Sequence, residues 1–116
     1  MHDFRKLEVY DRALRQASAV RAMSKKFPRD ELFVLTSQFR RAADSIVLNI
    51  AEGAGCSSVA EFRRFLGYSV RSGYECFGCA DIAHNEKFIS STEYHQFCVN
   101  TNEIISMLVG LKKNVQ

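Results

Sequence analysis

Eight cationic side chains carry the chemistry most accessible to this sequence. Arg5, Arg12, Arg15 and Lys26 fall along one face of an expected first helix, and Arg40, Arg63, Arg64 and Arg71 fall on the second and third. Rows of guanidinium and ammonium groups neutralise phosphates, so RNA or DNA is the partner class to which they point. Glu8 and Asp11 stand four residues before Arg12 and Arg15, the spacing of helical ion pairs. A self-neutralised, solvated face is therefore the competing reading for the first group. The distribution of charge favours the N-terminal part: residues 1–71 hold thirteen basic and eight acidic side chains, net +5, whereas residues 72–116 hold three and five, net −2.

A second constellation is a polar line. Arg41, Ser45, Asn49 and Glu52 follow at spacings of four, four and three beside an apolar stripe. Arg41 and Glu52 are too far apart on one helix to pair, and Glu75 on the next helix is a candidate partner for Arg41. A partly buried network that fixes helix register is the expectation, because buried polar groups must be paired.

Other chemistries fail on geometry or ligand count. Cys76-x-x-Cys79 and His95-x-x-Cys98 have a spacing reminiscent of zinc ligands. On a helix, however, Cys76 and Cys79 project about 60° apart, with Cys79 expected to point away from the core stripe. Small buried hydrophobes describe them better. A di-metal centre needs carboxylate-x-x-His pairs on two helices, and only Asp81-x-x-His84 comes close. No phosphate-binding glycine loop, nucleophile elbow or metalloprotease motif occurs. The chain reads as a non-enzyme with no cofactor and no metal.

These side chains need a scaffold, and the pattern supplies four helices in one domain spanning 1–116. A chain of 116 residues, 47% hydrophobic and 25% charged, can bury a core without disulfides or metal. One proline and six glycines leave few interruptions. The first helix is expected from about Phe4 to Phe27, with Leu7, Tyr10, Ala13, Leu14, Ala17 and Val20 facing inward. Phe27-Pro28 breaks it, and Pro28 suits the first turn of a second helix. That helix presents Leu32, Leu35, Phe39, Ala42, Ala43, Ile46 and Ile50 and ends where Gly53 and Gly55 permit left-handed geometry. Ser58 and Glu61 form a capping box for the third, with Val59, Phe62, Leu66, Val70, Gly73, Phe77 and Ala80 inward to about His84. Ser90 and Glu93 form another for the fourth, with Tyr94, Phe97, Thr101, Ile104, Ile105 and Leu108 inward. Short connections imply an antiparallel, up-down-up-down, all-α four-helix bundle.

Two further expectations concern surroundings. Nothing reaches the roughly 20 apolar residues of a membrane span, and the start Met1-His2-Asp3-Phe4 has no signal-like core, which together indicate a cytoplasmic protein with reduced cysteines and no membrane partner. The second helix also carries Phe33, Val34, Val47, Leu48 and Ala51 outside its core arc. Being apolar on two sides, it asks for a second covering surface, and self-association supplies one.

The blocks Phe4-Arg5-Lys6-Leu7-Glu8-Val9-Tyr10, Phe27-Pro28, Leu35 to Ala43 and, most closely, Ser45-Ile46-Val47-Leu48-Asn49-Ile50-Ala51-Glu52-Gly53 resemble the four-helix-bundle family of proteins encoded in the intervening sequences of bacterial 23S ribosomal RNA genes. Ser72 and Glu75 are similar to its Ser-x-x-Glu, but Arg71 stands where that motif usually has glycine, implying a wider helix contact there. The resemblance implies a homo-oligomer, typically a ring of five bundles, in which weak basic patches would be multiplied. More distantly, the chain is similar to the accessory variability determinant proteins of diversity-generating retroelements, which are basic pentamers that bind nucleic acid and a reverse transcriptase. Two functional expectations follow: a nucleic-acid-binding oligomer, or a scaffold for a protein partner such as a reverse transcriptase.

Overall fold

The apolar stripes close on one another as four α-helices in a computed structural model, which describes residues 3–115. Met1, His2 and Gln116 lie outside the described residues, and the expected domain is followed between those limits. The helices are α1 (Glu8–Ser24), α2 (Leu35–Ala54), α3 (Val59–Asn85) and α4 (Ser91–Asn114), with no strand among the described residues. They form the antiparallel bundle that short connections require. At about 1.5 Å per residue, the 27 residues of α3 span about 40 Å, which accounts for the 43 Å long axis. Of the neighbouring helix pairs, α2 and α3 pack most extensively and α1 and α4 least.

The core stripes of α2 and α4 follow their periodicity. Leu35, Phe39, Ala42, Ala43, Ile46 and Ile50 are buried, as are Phe97, Thr101, Ile104, Ile105 and Leu108. Along α1 the stripe is rotated from the expected one: Val9, Ala13, Gln16, Ala17, Val20 and Met23 are buried, and Leu14 is 43% exposed. The polar Gln16 takes an inward position because Thr101 on α4 offers it a hydrogen bond.

Two helix starts, and the reason for one helix end, are corrected. Phe4–Lys6 is a separate 3-10 turn and α1 begins only at Glu8, since Leu7 is extended. Helix α2 begins at Leu35, not beside Pro28. Pro28 is extended, Arg29–Glu31 makes another 3-10 turn, and Val34 has non-helical angles. Leu32 is thereby out of phase with α2 and 46% exposed. No glycine among the described residues has positive φ, so Gly53 and Gly55 do not act through left-handed geometry. Gly53 is instead a point of close approach, where a Cβ would stand 2.8 Å from Phe65 Cβ and 2.9 Å from Phe62 Cδ1.

The Ser90 and Glu93 box forms completely. At α3 only half of the expected box is present: Ser58 Oγ accepts from the Glu61 amide, while the Glu61 carboxylate binds Arg64. The turn after α3 contains Lys87 at φ 64°, the left-handed region. No helix among the described residues is long and apolar enough to cross a membrane.

Candidate nucleic-acid interface

The first turns of α3 repeat cations at helical spacing, so that Arg63, Arg64 and Arg71 rise on the side facing the end of α4. There Lys112 and Lys113 meet them across a groove of about 660 Å³ that Gly67, Tyr68, Val70 and Val109 floor. No acidic residue lines it among the described residues. Glu61, bonded to Arg64 at 2.8 Å, is the one carboxylate tied to this cluster. Five cations thus have one carboxylate among them, on Arg64, within the described residues, a concentration of positive potential suited to phosphate.

Each cation is held differently. Arg63 reaches across to α4, donating from Nε to the Lys112 carbonyl and from Nη2 to the Val115 carbonyl, both at 3.2 Å. It therefore satisfies main-chain acceptors that a helix C-terminus leaves open. The guanidiniums of Arg64 and Arg71 lie 6.0 and 5.9 Å from the Tyr68 ring centroid, and Phe65 meets Tyr68 edge-on at 5.4 Å. An aromatic ring bracketed by arginines is a surface on which a base can stack. Lys112 lies over Gly67, where the missing side chain gives the ammonium room; a Cβ would be 3.3 Å from Nζ. Arg71 is exposed and bent toward Tyr68, so the wider helix contact expected at this position does not arise within the bundle. Close approach of α3 and α4 occurs at Gly73, whose Cβ would be 2.9 Å from Ile105 Cγ1.

The other candidate cations are not brought to this groove. Arg12 pairs with both Glu8 and Glu103, Arg15 with Asp11 at 2.8 Å, and Lys26 with Glu93 at 2.5 Å. The hydrogen bonds that Arg12 donates to Glu8, and the Glu103 charge, raise the Arg12 pKa above its ordinary value. Arg5 lies over the Phe4 ring, 4.8 Å from its centroid. Arg40 donates to Ser24 Oγ at 2.8 Å and lines a separate hollow with Lys25 and Arg29, near the α1 end of α2. Helix α1 is thus largely the self-neutralised face that its sequence spacing allowed. Lys112 and Lys113 escaped sequence reasoning because they lie in the net-acidic part of the chain. The signal available was their place in the last turn of α4, antiparallel to the start of α3.

The polar line of α2 forms only in its middle. Asn49 Nδ2 donates to the Ser45 carbonyl and Oγ, each at 2.9 Å, and Ser72 Oγ donates to Ser45 Oγ at 2.8 Å. Arg41, Glu52 and Glu75 are exposed, and none of their side chains has an ion pair or hydrogen bond among the described residues. The expected Arg41 to Glu75 pair is therefore not made. Val47 is 8% exposed and belongs to the core, unlike Phe33, Val34 and Leu48, which are 89%, 62% and 58% exposed.

Cys79, expected to point outward, is buried beside Cys76. Burial pushes their thiols up, to about 11 and about 12 respectively. Asp81 and His84 tie α3 to α4: Tyr94 donates to Asp81 at 2.6 Å, which raises the phenol pKa, and the His84 ring stacks on Tyr94 at 4.3 Å.

Comparison with known proteins gives a family and a fold. A family model described as 23S rRNA-intervening sequence protein matches residues 5–110. A crystal structure at 1.70 Å of a protein with unknown function from the S23 ribosomal protein family, from Bacteroides thetaiotaomicron VPI-5482, superposes with a TM-score of 0.84. The two sequences are 23% identical, over 91% of this chain and 96% of that one, so the likeness is one of fold. Among curated proteins, none matches.

Proposed function

This chain belongs to the 23S rRNA-intervening sequence protein family, and from that premise we propose that it is a non-enzymatic, self-associating bundle that binds RNA or DNA through the α3–α4 groove. The observation that carries the reading is the five-cation cluster around Tyr68, with Glu61 as its single ion-pair partner among the described residues. Phosphates take the place of solvent counterions on Arg64, Arg71, Lys112 and Lys113, while Tyr68 offers a face to an unpaired base. Self-association is supported by the exposed Leu48 of α2 and by Arg41, Glu52 and Glu75, exposed side chains with no ion pair or hydrogen bond among the described residues. A ring of five, as the family resemblance implies, would repeat the groove and raise its effective concentration.

Fluorescence anisotropy with labelled single-stranded RNA, duplex RNA and duplex DNA across a salt series tests the reading. Submicromolar binding at low salt is expected, with a single-strand log–log slope of about −3 for four or five phosphates. Lys112→Gln with Lys113→Gln should flatten that slope by about 1.4. Absence of binding at low salt refutes the reading and turns attention to a protein partner. The exposed Phe33 and Val34 would favour such a partner. Light scattering at micromolar concentration, with Leu48→Glu as the disrupting variant, tests assembly separately.

A further inference from the structure

Gln16 is 3% exposed in the middle of the α1 core stripe, yet only half of its amide is used. Its Nε2 donates to Thr101 Oγ1 at 2.5 Å, and the Thr101 hydroxyl donates in turn to the Phe97 carbonyl at 2.8 Å. This relay orients the amide, because a hydroxyl whose proton is already committed can only accept from Gln16. Gln16 Oε1 is left as the one buried side-chain oxygen or nitrogen without a hydrogen-bond partner among the described residues. Native proteins seldom leave a buried acceptor unused without a reason.

Gln16 also lines a cleft of about 210 Å³ between α1 and α4, together with Arg12, Arg15, Ala19, Asn100 and Ile104. Asn100 accepts from Gln96 through Oδ1 at 3.1 Å, so its amide nitrogen remains able to donate. The cleft thus combines a buried acceptor, a donor on the opposite helix, apolar walls at Ala19 and Ile104, and two guanidiniums. We propose that it binds a nucleoside monophosphate: the base lies against Ala19 and Ile104, a neutral base N–H donates to Gln16 Oε1, and the phosphate meets Arg15, whose only ion pair among the described residues is the exposed one with Asp11. An amino acid also joins an N–H donor to an anion, but its ammonium would enter beside two guanidiniums. The neutral donor of a base avoids that repulsion. This site is separate from the strand-binding groove and stands whether or not strands bind there.

Titration of the intact chain with AMP at low ionic strength, followed by NMR and calorimetry, tests the assignment. AMP should bind at least tenfold more tightly than adenosine or inorganic phosphate alone, shifting the Ala19 and Asn100 amides. Gln16→Met and Arg15→Gln should each weaken AMP at least tenfold, with folding checked by circular dichroism, while Lys87→Gln, in the exposed turn between α3 and α4, leaves it unchanged. Should Gln16→Met fail to fold, the solvent-exposed Arg15→Gln decides. Equal affinity for phosphate and AMP, no AMP binding at millimolar concentration, or wild-type affinity in folded variants would overturn the proposal.

Discussion

Arg63 of α3 clasps the last main-chain carbonyls of α4, at Lys112 and Val115, through two separate nitrogens. A cation in the basic groove is therefore also a fastening of the bundle. Arg63→Ala should cost about 1–2 kcal/mol in urea unfolding, and Arg63→Lys should recover little of it, because one ammonium cannot copy a planar two-pronged donor. Lys113→Gln, by contrast, should leave the urea midpoint unchanged. A neutral effect of Arg63→Ala on stability would show that α4 ends as firmly without it.

Gly53 and Gly78 should respond oppositely to alanine. At Gly53 the new methyl meets Phe65 and Phe62 at 2.8 and 2.9 Å, with Phe62 main chain also close, so α2 and α3 must move apart at a cost of about 1–3 kcal/mol. At Gly78 nothing lies within 4 Å, and higher helix propensity should add about 0.5–1 kcal/mol. Thermal unfolding of the two variants side by side makes the comparison.

Lys87 holds φ 64° where its side chain is a steric burden. Lys87→Gly should raise stability by up to about 1 kcal/mol, since glycine adopts this region freely, partly offset by its greater freedom when unfolded. An unchanged or lower melting temperature would argue that Lys87 makes up for its strain elsewhere.

Glu93 is held below the ordinary carboxylate pKa, first by its hydrogen bond from Lys26 and then by the Ser90 amide. A lowered folded pKa means that the ionised form favours folding. Its contribution is complete above the unfolded value of about 4.3 and disappears as pH falls through the folded value. Urea midpoints of wild type and Glu93→Gln should differ at pH 7 and 5 and converge toward pH 3. A gap that persists at pH 3 would contradict the linkage.

Apolar spacing made most of the bundle legible, because in α2 and α4 the inward positions are occupied by residues with no competing use. It misled where a polar residue found a buried partner. Gln16 rather than Leu14 enters the core because Thr101 receives it across the bundle, a relation of residues 85 apart that no local period encodes. The groove was half legible: Arg63, Arg64 and Arg71 share a helix face, but Lys112 and Lys113 join them only through the antiparallel return of α4. Leu32 was misassigned because helical phase was carried back through Pro28, where the chain turns before α2 begins. Cys79 and Val47 were read as outward from a wheel drawn for one neighbour, whereas each helix here packs against two.

The unequal packing of the helices has a kinetic consequence. The tightest pair, α2 and α3, is joined by the four residues 55–58, so its contacts close a small loop and can form early. The sparsest pair, α1 and α4, brings together the two ends of the chain, and its closure carries the greatest entropic cost. Synthesis from the N-terminus thus delivers α1 first but gives it only α2 to rest on. The hairpin of α2 and α3 can nucleate before α4 is complete, and the seam holding Gln16 is the last part of the molecule to assemble and the first to open.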